Sequence, residues 1–174
     1  MEIVNSPDVL EAIQVICNAS QIKILYEDIL SSNADIIVQQ VNCKGVMGAG
    51  LAKSIKTKYP IVFEKYSKCF EKVSGKELLG KIQIVPVSKT QAVANLFAQE
   101  AYGNDHKLYT NYQALKRGLD ILSKKDCTVA IPYGLGCGLG GGDWDKVVFP
   151  MIASLWYGKE DKIKIYKLSK EGRT

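Results

Sequence analysis

The sequence holds a single histidine, His106, in 174 residues, so imidazole chemistry near neutral pH is confined to one position. Its five cysteines (Cys17, Cys43, Cys69, Cys127 and Cys137) are odd in number, widely spaced and never set as C-x-x-C. That pattern indicates neither a disulfide framework nor a zinc site, and it fits the reducing cytoplasm. No run of about eighteen apolar residues occurs, and the acidic, amphipathic opening MEIVNSPDVLEAIQ lacks the basic flank and apolar segment of an export signal. Neither a membrane span nor secretion is expected. An arginine-rich tract is also missing: the net charge is +5, but the lysines are spread along the chain. A small phosphorylated ligand is therefore favoured over a polynucleotide, and nucleic acid is not expected as a partner. Repeats and low-complexity segments are absent outside one glycine-rich stretch.

That stretch, GLGCGLGGGDW at 134–144, sets six glycines within nine positions. Ordering glycine costs roughly 0.5–1 kcal/mol per residue relative to alanine in regular structure, so so much bare backbone needs a reason. A flexible linker would pair glycine with serine and other polar residues. Here Leu135, Cys137, Leu139 and Trp144 are apolar and read as packed. The other reason is close approach of a ligand to backbone whose N–H groups turn inward, the arrangement that cradles phosphate.

With 47% hydrophobic and 24% charged residues, the chain can bury one sizeable core, and a single domain spanning 1–174 is expected. Ser6-Pro7-Asp8 opens a short helix to about residue 18. Strands are predicted at 22–29, 34–42, 81–87, 92–99, 127–133 and 162–168; the continuous Ile36-Ile37-Val38 run suits a strand buried on both faces. Helices are predicted at 47–59, 61–73, about 112–124 and 144–157, the last opened by Asp143 as N-cap. The alternation predicts an α/β fold, a mostly parallel sheet with helices on both sides. Ligands of such sheets bind beyond the carboxyl ends of the strands, where two glycine-containing loops fall, GVMGAG at 45–50 and the opening of 134–144. Each leads into a helix whose free N–H groups favour an anion, so two facing loops suit two phosphates.

Three ordered segments, VNCKGVMGAGLAKSIKTKYP (41–60), NLFAQEAYG (95–103) and IPYGLGCGLGGGDW (131–144), resemble the macrodomain family, and most closely its branch that processes ADP-ribose-1″-phosphate and ADP-ribosyl groups. The resemblance covers about 22–168 and leaves 1–21 as a helical extension. It implies a three-layer α/β/α fold with a central mixed, mostly parallel sheet that binds ADP-ribose, its derivatives or ADP-ribosylated protein; nothing visible in the sequence requires a metal or a cofactor, and a monomer is expected. Carried over by position, it implies that Asp28 accepts a hydrogen bond from the adenine amino group beside the backbone of Ile29, although Asp28 also reads as an ordinary loop acid. Asn42 would bond the distal ribose. Val46, Met47, Gly48, Ala49, Gly50 and Leu51 would hold one side of the diphosphate; Gly136, Cys137, Gly138, Leu139, Gly140 and Gly141 would hold the other. Tyr166 reads equally as an aromatic packed on adenine or as a core tyrosine.

The chemistry is less plain. Relatives that hydrolyse ADP-ribosyl-glutamate or ADP-ribosyl-DNA use a lysine where this chain has Gln99, and an amide is neither nucleophile nor base. Gly140 stands where glutamate-directed relatives have an aspartate, and Gln39 where many members have a histidine. Gln99 is retained as a binding residue. The remaining proton handlers are Asp105 and His106 in YGNDHK, which also reads as a polar turn. Cys43 and Cys137 border the loops, where small buried thiols are commoner than nucleophiles. Hydrolysis of the 1″-phosphate or an O-linked group by water positioned by Asn42 is expected, with a non-catalytic ADP-ribose reader as the alternative.

Overall fold

The computed structural model describes residues 19–169, so the helix expected at 7–18 lies outside the described residues. Among these residues six strands form one sheet: β1 (Lys23–Leu25), β2 (Ile36–Asn42), β3 (Ile82–Pro86), β4 (Ala92–Gln99), β5 (Val129–Pro132) and β6 (Ile163–Tyr166). Their order is β1-β6-β5-β2-β4-β3. Every neighbouring pair is parallel except β3 with β4, which the short turn between Pro86 and Ala92 makes antiparallel. The sheet is thus mixed and mostly parallel, as the alternation of elements implied.

Side chains alternate across the central strands and so supply two cores. In β2, Ile36 and Val38 join one cluster and Ile37 and Val41 the other; in β4, Leu96 and Ala98 oppose Val93 and Phe97. Helices α1 (Gly50–Lys58), α2 (Pro60–Cys69) and the short α3 (Gly75–Leu78) cover the second cluster through Ile55, Val62, Tyr66 and Leu78. Helices α4 (Tyr112–Ser123) and α5 (Phe149–Leu155) cover the first through Leu115, Leu119, Leu122 and Ile152. Each of these fully buried side chains contributes about 1.5–3 kcal/mol on transfer from water. The result is three layers, α/β/α.

Most boundaries move inward from the sequence reading, each for a local reason. The first strand stops at Leu25, because the Asp28 side chain accepts from Leu30 N and caps a 3-10 turn at Ile29–Ser31. The first helix begins at Gly50, not Met47: Ala49 is extended, and Met47 is buried in the core at 3% exposure. Pro60, read as an interruption, is the first residue of α2, where its missing N–H costs nothing. Asp143 caps a single π-helical turn, Trp144–Val148, before α5. Helix α3 had no periodic signal at four residues.

The amino ends of β2 and β5 are tied by Asp35, whose Oδ2 accepts from Thr128 N at 2.7 Å and from Thr128 Oγ1 at 2.8 Å. Those two bonds hold the carboxyl below its ordinary range. Asp35→Ala is therefore expected to lower stability at neutral pH. Because the folded-state pKa is depressed, the difference from the native chain should close as pH falls through it, which urea midpoints measured from neutral to acid pH would show.

Candidate functional site

In the parallel part of the sheet all carboxyl ends share one rim, and the loops following β2, β4 and β5 leave from adjacent strands there. They enclose a cleft of about 650 Å³. One wall is the first loop with the start of α1, from Val46 and Gly48 to Ala52; the other is Pro132 to Gly136 and Gly138 to Gly140. The floor is Gln39, Gln40, Val41, Asn42 and Gln99, and Tyr102 stands at one side.

The first loop is shaped by Asn42. Its Oδ1 accepts from Lys44 N (3.0 Å), Val46 N (3.4 Å) and Tyr66 Oη (3.0 Å), while its Nδ2 donates to Val46 O (2.7 Å). Among the described residues the second amide hydrogen of Asn42 has no acceptor, which leaves it for a ligand. Beyond this turn, Lys53 N returns to Ala49 O, and no side chain among the described residues caps α1. Among the described residues the amides of Gly48, Ala49, Gly50, Leu51 and Ala52 have no acceptor. An alanine at the N-cap leaves these donors and the positive end of the helix dipole turned to the cleft, where Ser, Thr, Asp or Asn would have satisfied one of them.

The second loop divides its glycines between two duties. Gly134, Gly136 and Gly141 have φ of +74°, +74° and +69°, which side chains rarely adopt. A Cβ on Gly140 would lie 2.4 Å from Thr110 Oγ1 and 2.5 Å from Gly136 O. Gly138 differs: its φ lies outside the left-handed region, and among the described residues nothing beyond its chain neighbours lies within 4 Å of a Cβ placed there. The amides of Cys137, Gly141 and Gly142 are taken by Gly134, Gly138 and Gly136 carbonyls. Those of Gly138, Leu139 and Gly140 have no acceptor among the described residues. Two bare segments, each with unpaired donors, therefore face one cleft, an arrangement suited to an extended anion.

Among the described residues no carboxylate, lysine, arginine or histidine lines the cleft; Tyr102 and Tyr133 are its only titratable side chains. The floor is neutral amide: Gln40 Nε2 donates to Gln99 Oε1 (3.1 Å) and to Thr110 Oγ1 (2.8 Å), and Gln39 Nε2 to Asn95 Oδ1 (2.7 Å). Anion attraction here comes from backbone dipoles rather than from charged side chains.

The Macro domain family model matches residues 38–151, a segment holding both bare loops and the floor between them. The chain belongs to the macro domain family. The DNA ADP-ribosyl glycohydrolase of Mycobacterium tuberculosis is 31% identical to this macrodomain over 131 residues, 73% of this chain and 36% of that protein, so the chain spans about a third of the curated relatives it matches. Among solved structures, the macrodomain of Mycobacterium tuberculosis DarG superposes with a TM-score of 0.68 at 27% identity, over 85% of this chain and 98% of that one. A Bacteroides thetaiotaomicron protein of unknown function gives 0.73 at 25% identity, over 84% and 98%.

Of the residues singled out in the sequence, this macrodomain brings Asn42, Val46, Gly48, Ala49, Gly50, Leu51, Gln99, Gly136, Gly138, Leu139 and Gly140 to the cleft. Met47, Cys137 and Gly141 lie behind its walls: Met47 is core, the Cys137 thiol donates to Leu135 O, and a Cβ on Gly141 would strike Lys107 O. Asp28, Ile29 and Tyr166 stand farther along the same rim, at the carboxyl ends of β1 and β6. Of the two readings of Tyr166, the structure shows a side chain packed in the core at 5% exposure. Asp105 and His106 are off the cleft. Asp105 pairs with Lys107 Nζ (2.8 Å) and accepts from Tyr109 Oη (2.8 Å), bonds that hold its carboxyl below the ordinary range and make it a weak base. His106 sits at φ 58° in an exposed turn, as a polar-turn reading implied.

Sequence reasoning missed Tyr102, Tyr133, Gln40 and Thr110. Tyr133 follows β5 directly and packs on Trp144 at 4.8 Å with Lys167 Nζ 4.0 Å from its ring centroid; a tyrosine at the head of a glycine loop was the available signal. Gln40 was visible as a polar residue in the buried run IIVQQV. Burial pushes the Cys43 and Cys137 thiols up to about 11. Both should therefore react slowly with a maleimide at neutral pH and faster as pH rises toward that value, as timed alkylation with peptide mass mapping would show.

Proposed function

We propose that this macrodomain binds the diphosphate of ADP-ribose between its two bare loops and hydrolyses a group from the distal ribose, either the 1″-phosphate or an O-linked acceptor. The observation that carries the reading is the convergence of the unpaired amides at 48–52 and 138–140 on one cleft. The adenine end would extend toward Asp28, Ile29 and Tyr166, and the distal ribose would lie over Asn42 and Gln99. Support for turnover comes from relatives, among them proteins named DNA ADP-ribosyl glycohydrolase. Attack would be by a water positioned by the free Asn42 amide hydrogen: as its oxygen bonds to C1″, the bond from C1″ to the departing group's oxygen would break and the water's proton would pass to that oxygen; Asp105 and His106 would take part only if the loop carrying them approached the cleft.

A second reading is a reader that holds ADP-ribose without turnover. The neutral floor favours it, because no carboxylate, lysine or histidine among the described residues lines the cleft to move a proton. Calorimetric titration with ADP-ribose tests the binding both readings share. A panel of ADP-ribose-1″-phosphate, ADP-ribosyl esters and ADP-ribosylated DNA then separates them. Release of phosphate or free ADP-ribose, reduced by Asn42→Ala, supports the hydrolase. Tight binding with no release from any substrate leaves the reader.

A further inference from the structure

The second glycine loop is only partly held by its own amides, those of Cys137, Gly141 and Gly142, and one residue outside the cleft bonds both ends of its bare part. Thr110, 4% exposed, donates its hydroxyl hydrogen to Gly136 O at 2.6 Å and accepts from Gln40 Nε2 at 2.8 Å. Its backbone N–H and that of Tyr109 both donate to Gly140 O, at 2.9 and 2.8 Å. The free amides of Gly138, Leu139 and Gly140 thus lie on a bridge fixed at Gly136 and at Gly140 by the same residue. Thr110 is itself referenced to the sheet: it forms a β-bridge with Gln99, and Asn111 N donates to Ala98 O at 2.7 Å. Gln40 is fixed in turn by Gln99 Oε1.

We propose that Thr110 is a positioning residue for the diphosphate: its hydroxyl, oriented by the Gln40–Gln99 amide pair, sets the direction in which the second loop presents its amides. The inference rests on reading the cleft as a diphosphate site. A hydroxyl suits the post because it accepts from Gln40 Nε2 and donates to Gly136 O at once. The close fit supports it, since a Cβ on Gly136 or Gly140 would come within 3.1 and 2.4 Å of Thr110 Oγ1. Any shift of that oxygen is therefore transmitted to the loop at both anchor points.

The test compares Thr110→Val, which keeps the shape and removes the hydroxyl, with Thr110→Ser, which restores it. ADP-ribose affinity is measured by calorimetry, and binding of adenosine, which lacks the diphosphate, by NMR titration. Thr110→Val is expected to weaken ADP-ribose by about tenfold or more and leave adenosine unchanged, with Thr110→Ser within about threefold of the native chain. A structural role alone would lower the melting temperature without that selectivity. Gln40→Met, which removes the donor to Thr110 at similar length, should give a smaller loss with the same selectivity, and it serves where the valine variant does not fold. Native ADP-ribose affinity in Thr110→Val or, failing that, in Gln40→Met, or equal loss of both ligands, would overturn the proposal. Absence of ADP-ribose binding by the native chain would overturn the diphosphate reading and the proposal with it.

Discussion

Gly138→Val is expected to weaken ADP-ribose binding by at least about 100-fold, close to 3 kcal/mol, while leaving the fold intact. The residue lines the cleft, its φ lies outside the left-handed region, and among the described residues no atom beyond its chain neighbours lies within 4 Å of a Cβ built there. A Cβ at this position has open space around it, so the effect of valine on stability should stay within about 0.5 kcal/mol. It does stand in front of the amides of Gly138, Leu139 and Gly140, which need close approach to bond an anion. Gly140→Val is the contrasting case. Its side chain would press on Thr110 Oγ1 and Gly136 O, contacts of 2.4 and 2.5 Å already at Cβ, and overpacking of that kind costs about 1–3 kcal/mol. Calorimetry and thermal unfolding on the two variants should therefore separate binding from folding two residues apart. Native affinity in Gly138→Val, or a melting temperature lowered as far as in Gly140→Val, would mean that the loop is not a cradle.

The same two positions show what the sequence could and could not reveal. Six glycines in nine positions announced that backbone must come close to something, but the something differs by residue. At Gly140 and Gly141 the near neighbour is the protein itself, Thr110 Oγ1 and Lys107 O; at Gly138 it is the cleft. No spacing rule distinguishes these, because Thr110 and Lys107 arrive from a distant part of the chain. The layers were legible because β2 and β4 bury alternate faces in two cores, and hydrophobic runs report that directly. The antiparallel edge strand β3 was less so, since adjacency in sequence does not state direction. Asn42 was found through its motif, yet its dominant bonds are to its own loop, which only the fold displays. His106 was chosen for its intrinsic acid–base range and Asp105 as its neighbour, able to orient water. Their distance from the cleft depends on how a surface turn packs, and composition holds no information on that.

Gln99→Lys places at this position the residue that hydrolysing relatives were expected to carry there, and it should cost stability without adding turnover. Gln99 ends β4 at 8% exposure, and its Oε1 accepts from Gln40 Nε2 at 3.1 Å. A lysine has no acceptor to offer, so the Gln40 donor loses that partner and the Thr110 contact loses its support. The ammonium would be taken out of water with no carboxylate among the described residues lining the cleft to pair with it. A cost of roughly 3 kcal/mol is expected at neutral pH, from the unpaired donor and the unpaired charge together. Burial disfavours the charged form, so the lysine's folded-state pKa falls below its unfolded value of about 10.4. The unfolded chain then binds more protons, and stability rises with pH between the two values. The deficit should be greatest below the folded-state pKa and shrink as pH climbs through it, which denaturation midpoints taken between about pH 6 and 10 would trace. Affinity for ADP-ribose should fall as well, because the second loop loses part of its reference to the sheet. A variant as stable as the native chain, with a faster release of ADP-ribose from its esters, would show that the amide floor is replaceable and that the loop draws its shape from elsewhere.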